Sequence, residues 1–335
     1  MHRNRPIACL SVTASSFVTL RQPPEVAGEI FPIDDIATGF QKMIKRSTMM
    51  SVYGWLMFMP AAIFLVAFTY YPTVATLAKS FYSQGTALRP AEFVGLENFE
   101  YMLDDDVFWQ VAWNNVIYAA GTIPVSIALA IAMALWVNGR LPLKSVARMA
   151  YFTPTILPMI AVANIWLFFY TPDIGLIDQF TRLFGIPSHN WLGDPKTVLG
   201  CIIVITIWKE AGFFMIFYLA ALQSVSPELE EAAKLEGASR WYFFRRVLFQ
   251  ILMPTTLFVL INAVINSFKL VDQLFILTKG GPDNASSLLL YYIYEVAFSF
   301  LDQAYASTLT VVLLVVLALI AIGQFVFLDK RVHYQ

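Results

Sequence analysis

An all-α integral membrane fold with six transmembrane helices is what the sequence predicts. Three observations carry that expectation: a shortage of charge, six long apolar runs, and basic residues gathered in alternate loops. Of the 335 residues, 58% are hydrophobic and only 13% are charged, where a soluble domain carries about 25%. A net charge of -1 provides no basic surface for nucleic acid. The two cysteines, Cys9 and Cys201, lie far apart and the second sits inside an apolar run, so no disulfide framework is expected.

Residues 1–47 come before any span. The stretch 9–20 is mildly apolar but too short to cross, with no small-residue cleavage site before Arg21. Residues 22–44 mix Pro, acidic and apolar residues without period. Two readings stay open: a disordered or loosely attached cytoplasmic tail, or an over-long start whose true beginning is Met43, Met49 or Met50. The transmembrane domain is expected over 48–335.

A transmembrane helix needs about 20 mainly apolar residues. The runs 52–77, 108–137, 150–170, 197–222, 255–277 and 304–328 satisfy this. The second and fifth are the most polar, carrying several Asn. Gly, Pro, Asp and Asn fill the segments between them, as loops require, and no repeat of solenoid length is evident.

Loop charge orients the chain. Twelve basic residues fall on one side: Lys42, Lys45, Arg46, Arg140, Lys144, Arg148, Lys234, Arg240, Arg245, Arg246, Lys330 and Arg331. Five fall on the other: Lys79, Arg89, Arg182, Lys196 and Lys279. Both termini and the loop 223–255 are therefore expected in the cytoplasm.

That loop is charged and amphipathic between two apolar runs. Ser226 and Pro227 suit the N-cap and first turn of a helix, and Glu228, Glu230 and Glu231 complement its positive end. Gly237 allows a bend. Trp241, Phe244, Leu248 and Ile251 then recur at helical spacing as an apolar stripe. Two short helices at an angle are expected. On spacing alone the alternative is an ordinary amphipathic helix lying in the headgroups.

The residues Glu231-Ala232-Ala233, followed by Glu236-Gly237-Ala238, resemble the EAA loop of permease subunits in binding-protein-dependent ABC importers. Other stretches resemble the carbohydrate-uptake branch of that family, with maltose and glycerol-3-phosphate permeases as relatives. They are Phe93-Val94-Gly95-Leu96-Glu97-Asn98-Phe99, Ile207-Trp208-Lys209, Leu219-Ala220-Ala221-Leu222-Gln223 and Gly280-Gly281-Pro282. The resemblance runs from about Val52 to the C-terminus. It implies the ABC type I importer permease fold, with a cytoplasmic helix-turn-helix coupling loop that docks on an ATPase through Glu231, Ala232, Ala233, Glu236, Gly237, Ala238 and Phe244. It further implies a second, related permease, two ABC ATPase subunits and a periplasmic or extracellular solute-binding protein as partners. It places the chain in a bacterial cytoplasmic membrane, among lipid. Its substrate would be a sugar or sugar-like polyol, with glycerol-3-phosphate or another anionic derivative as one form. The chain itself would bind no cofactor, because ATP and Mg are used by the partner.

Two departures from the family pattern stand out. Glu236 stands where Asp is usual, and Phe249-Gln250 where Leu-Pro is usual. Without that proline, the second loop helix is expected to run on for another turn.

Lys209 and Glu210 fall mid-span, where a charge costs about 2.5–3.5 kcal/mol on insertion scales, so they are expected to face the bundle interior. Asn262, Asn266, Lys269 and Asp272 recur at spacings of four, three and three as one polar face of the fifth span, beside Ser267. With Asn114, Asn115 and Asn164 they supply amide and charged groups for a polyhydroxyl solute, and Trp208, Phe213 and Phe268 supply aromatic faces. The competing reading for each is interhelical glue.

Other functions find little support. His2, His189 and His333 lie outside the spans, which disfavours intramembrane metal or His-based catalysis. The dipeptide Gly-Lys is absent, and with it the phosphate cradle for nucleotide. A membrane enzyme would need a base beside Ser126 or Ser267, and none is evident. A stand-alone secondary transporter remains the rival, although it has no use for the Glu231 loop.

Overall fold

The computed structural model describes residues 49, 52–85, 89–139 and 143–329, without the side chains of 327–329. The tail expected over 1–47 lies outside the described residues. The chain divides into the units Met1–Val66 and Ala67–Gln335, and the helix bundle belongs to the second. Among the described residues the fold is all-α, its one β feature an isolated antiparallel bridge between Tyr82 and Phe93.

Five helices are long and apolar enough to cross a membrane, and a bent pair makes a sixth crossing. The first crossing is Val52–Lys79 (α1), which contains a π turn at Val66–Tyr70. A short helix, Glu97–Asp104 (α2), leads into Asp106–Asn138 (α3). At 1.5 Å per residue α3 is about 50 Å long, so it outruns the ~30 Å hydrocarbon core. Asp105 starts it by accepting the Val107 amide at 2.9 Å, and anchors it by accepting the hydroxyls of Tyr292 at 2.7 Å and Tyr305 at 2.6 Å.

The third crossing differs from the straight span expected over 150–170. It consists of Lys144–Ile156 (α4) and Met159–Phe169 (α5), bent by 100°. The cause is local. Proline disfavours helical dihedrals in the residue before it, and Leu157, before Pro158, is extended at φ -68°, ψ 133°. Pro154 removes another backbone donor from the last turn of α4.

A seven-residue helix, Leu176–Arg182 (α6), follows in the loop. Asp178, 1% exposed, organises this loop. Its carboxylate accepts the backbone amides of Asp173 at 2.8 Å and His189 at 3.2 Å, and the Trp191 indole at 3.2 Å. Hydrogen bonds from Ser188 and the Asp173 amide hold its pKa well below the usual carboxylate range.

Val198–Gln223 (α7) is the most enclosed span and packs along α3. After it come Pro227–Leu235 (α8) and Arg240–Phe243 (α9). The fifth crossing begins as Met253–Phe268 (α10). Its helix stops at Lys269 and restarts as Asp272–Leu277 (α11), because Val271 departs to φ -130°. Ser267 bonds back to the Val264 carbonyl at 2.8 Å, the kind of side-chain bond that competes with a helix ladder. The polar face expected along 262–272 is therefore not one helical face. A helix the sequence did not suggest, Leu289–Phe298 (α12), packs on the last span, Gln303–Asp329 (α13).

Helices gain little hydrophobic free energy from meeting inside lipid, so close packing of small residues decides their contacts. Ala130 and Ala134 of α3 and Ala263 of α10 let Phe214, Met215 and Tyr218 of α7 fill the centre. Gly212 is the tightest contact. A Cβ placed there would lie 2.0 Å from the Tyr151 carbonyl oxygen, a backbone atom that cannot rotate away. Gly212→Ala should therefore push α4 off α7 and destabilise the bundle by about 1–3 kcal/mol. Gly200→Ala, in a position with nothing within 4 Å, should not. Melting temperatures of the solubilised variants would show whether the two separate in this way.

Candidate functional site

The bend in the third crossing, the middle of α7 and the end of α10 meet around a cavity of about 260 Å³. Lys209, Glu210 and Phe213 reach it from α7, and Asn266, Lys269 and Leu270 from the end of α10. Thr155 and Met159, on either side of the bend, close one wall, and Tyr118 and Thr206 close another. Behind that wall the Tyr118 hydroxyl donates to Thr206 Oγ1 at 2.9 Å, and Gln273 Nε2 donates to the same atom at 3.0 Å. The wall is thus polar, yet its hydroxyls are already oriented.

Lys209 explains how the bend survives in lipid. A helix break leaves carbonyls without amide partners, and an unpaired polar group in hydrocarbon costs several kcal/mol. The Lys209 ammonium donates to the Leu157 carbonyl at 2.7 Å, and Thr155 Oγ1 lies 3.4 Å from the Lys209 carbonyl. Asp272 lies within electrostatic reach of the same ammonium, and the Asn266 amide faces Glu210. One side chain therefore both satisfies the break and lines the cavity.

The remaining residues named from sequence lie elsewhere. Asn114 does not line the cavity: its amide donates to the carbonyls of Asn284 at 2.9 Å and Ser287 at 3.1 Å, tying α3 to the loop after Gly280. Asn115 likewise bridges the Ser267 carbonyl and the Leu289 amide. Asn262 bonds back to its own helix at Phe258 O, 2.8 Å away, and Asn164 does the same to Ile160. Ser267 is 3% exposed and bonded within α10. Asp272 is exposed at the start of α11. Trp208 turns outward, edge-on to Trp166 at 5.7 Å, and Phe268 packs on the α3–α12–α13 core. Tyr118, Thr155, Met159, Thr206 and Leu270 were missed. The pair Pro154 and Pro158 was the signal for Thr155 and Met159, but nothing in the sequence marks the other three.

The charged loop has a definite local structure. Ser226 caps α8 by accepting the Glu228 amide at 3.3 Å, and Ser239 caps α9 by accepting the Tyr242 amide at 3.2 Å. Between them the Ala238 amide donates to Ala233 O at 2.9 Å and the Gly237 amide to Lys234 O at 3.1 Å. Gly237 has φ 74°. Those two bonds with a left-handed residue between them form a Schellman motif. The Ala-Ala…Glu-Gly-Ala spacing is thus a helix stop: Glu236 is the C-cap, Gly237 takes the left-handed position, and Ala238 sits over Ala233 with room to do so. Glu231 and Ala232 are exposed on α8. Leu235 is 90% and Trp241 68% exposed, while Phe244 stacks between Trp241 and Phe249. Past α9 the helix carries on through a π turn at Phe244–Leu248 and a short piece at Phe249–Ile251, then enters α10 at Met253.

Residues 126–334 match the family described as binding-protein-dependent transport system inner membrane component. Among curated proteins, a sulfoquinovosyl glycerol transport system permease protein of Agrobacterium fabrum is 31% identical over 77% of this chain and 84% of its own. A lactose transport system permease protein of Rhizobium radiobacter is 31% identical over 88% of this chain and 100% of its own. An sn-glycerol-3-phosphate transport system permease protein of Agrobacterium fabrum is 29% identical over 84% and 97% respectively. A chain of a bacterial ABC transporter that imports the acidic polysaccharide alginate superposes with TM-score 0.76 at 21% identity, covering 87% of this chain and 98% of that one. That likeness establishes the fold.

The Lys209 contact generates a test. Lys209→Met keeps the length of the side chain but leaves the Leu157 carbonyl without its donor. The angle between α4 and α5 should then become broader and more variable. Spin-label distances between Ser145 and Asn164 would report it, and an unchanged distribution would mean that Lys209 does not hold the bend.

Proposed function

The chain belongs to the family of binding-protein-dependent transport system inner membrane components, and from that premise we propose how it acts in uptake. It is a multi-pass permease subunit of an ABC importer and not a stand-alone secondary transporter, the rival left open by its sequence. Such permeases are transport subunits and not enzymes. In our reading ATP and Mg are used by two ABC ATPase subunits, and a second permease completes the pathway. A solute-binding protein delivers the solute on the side opposite the Glu231 loop, and both termini lie in the cytoplasm. The related alginate importer has been seen with a pentasaccharide-bound periplasmic protein, which supports this arrangement.

The solute is a sugar or sugar-like polyol. Permeases similar to this chain carry the names of sulfoquinovosyl glycerol, lactose and glycerol-3-phosphate systems. The cavity wall supplies the matching chemistry: an amide, hydroxyls, two ammonium groups, a carboxylate and the Phe213 ring. The observation that carries the reading is the position of this cavity between two spans joined by the Glu231 loop. An ATPase holding α8 and α9 grips the same hairpin whose middle forms the solute site.

Asn266→Leu should fill the cavity and lower uptake several-fold, with the complex still assembled. Asn262→Leu, whose amide only bonds its own helix, should transport normally. Equal uptake by both variants in membrane vesicles would remove α10 from the pathway.

Gly237→Trp forces an L-residue into the left-handed region at about 1–2 kcal/mol and projects a large ring from the open surface of the turn, where nothing lies within 4 Å of a Cβ. It should weaken ATPase recruitment and substrate-stimulated hydrolysis, with membrane insertion intact. Glu231→Ala, losing a rim charge, should act more mildly. A pull-down with a stimulated hydrolysis assay decides this, and wild-type values for Gly237→Trp would exclude the loop from coupling.

A further inference from the structure

We propose that α6 is a membrane-interface helix, with one apolar arc set into the headgroup boundary of the leaflet opposite the Glu231 loop. One span, α7, separates α6 from that loop, so the two lie on opposite faces of the bilayer.

Leu176 and Phe180 lie about 40° apart on one side of α6, and Leu183 and Phe184 extend that apolar arc in the turn that closes it, where their amides donate to Phe180 O at 3.1 Å and Thr181 O at 3.0 Å. All four are uncovered, Leu183 by 80% and Phe184 by 69%. Phe180 and Phe184 stack edge-on at 5.2 Å, extending the arc as one surface. The far side of the helix carries Asp178, held inward by the Asp173 and His189 amides and the Trp191 indole. Arg182 is paired with Asp173 on the polar flank. An apolar arc with a cation on its polar flank is the composition of a helix lying in the plane of a membrane surface.

The occupant follows from continuity. Gly175 folds the chain back over the end of α5: a Cβ there would lie 2.4 Å from the Phe169 carbonyl and 2.5 Å from that of Thr171. This close approach keeps α6 against the end of α5, the second half of the third crossing. Leu167 and Phe168, on the last turn of α5, are exposed, and Ile174 between the helices is 61% exposed. The apolar surface therefore runs from the crossing helix onto α6 across the turn. Lipid that covers the first part covers the second. The arc would pin α5, and with it Met159 at the cavity, to the membrane surface while α4 moves at the bend.

The test places nitroxide labels at Leu183→Cys, Phe184→Cys and Lys196→Cys in a Cys9→Ser, Cys201→Ser chain. The assembled complex is reconstituted in vesicles of phosphatidylethanolamine with phosphatidylglycerol. Collision rates with oxygen, which partitions into lipid, and with a nickel chelate, which stays in water, are then compared. The expected result is an oxygen-to-nickel ratio several-fold higher at 183 and 184 than at 196. A ratio equal to that at 196 would put the arc in water and overturn the proposal. Low rates for both reagents at 183 and 184 would mean that a protein surface covers them, which overturns it equally.

Discussion

Everything at the centre of this protein depends on one hydrogen bond, from the Lys209 ammonium to the Leu157 carbonyl. A chain in hydrocarbon must satisfy its backbone internally, and irregular backbone is tolerated only where it faces protein or a cavity. The third crossing breaks that rule at Leu157 and survives because a cation from the neighbouring span reaches the exposed carbonyl. The charge is costly mid-span, and the broken helix is costly too. Placed together, each removes part of the other's penalty. The same pairing fixes where the cavity opens, since Thr155 and Met159 flank the bend and line the space.

The sequence showed the spans well and the interruptions poorly. Length and apolarity are summed over some 20 residues, so the crossings emerge even where single residues disagree. Breaks are decided by one or two residues. Pro154 and Pro158, four apart inside 150–170, carried the information, yet an apolar count passes over them. The Asn residues show the opposite failure. Asn266 and Asn262 look alike in sequence, four apart on one helix. Only the fold reveals that one faces Glu210 and the cavity while the other bonds back to Phe258. Asn114 reads as a pathway residue until the loop 283–287 is seen folding onto it. Polar residues in a span announce that something must be satisfied, but not by what.

The charged loop was legible for a different reason. Ser226, Gly237 and their neighbours act through contacts within five residues, so sequence alone is nearly the whole context. The Schellman bonds at Ala233 and Lys234 give the motif a physical meaning: it ends one helix sharply and starts another. The π turn after α9 belongs to the same design. Where the usual Leu-Pro would interrupt the chain, Phe249-Gln250 lets helix continue to Ile251 and leaves Pro254 to begin α10.

The geometry of the hairpin then ties loop to cavity. Glu210 lies 13 residues before the end of α7 at Gln223, and Asn266 lies 13 residues after the start of α10 at Met253. At 1.5 Å per residue both stand about 20 Å from the loop, which is why the two side chains meet at one level. Both helices are continuous over that distance, so each behaves as a strut and not as a spring. A displacement of α8 and α9 reaches both cavity walls without needing a chain of side-chain rearrangements. The weak element is the third crossing, whose bend lies at the same level and rests against α7 through Gly212. A tilt of α7 would therefore act directly on Lys209 and the carbonyl it holds, beside a cavity whose lining borders broken backbone on two sides, at Leu157 and at Lys269–Val271.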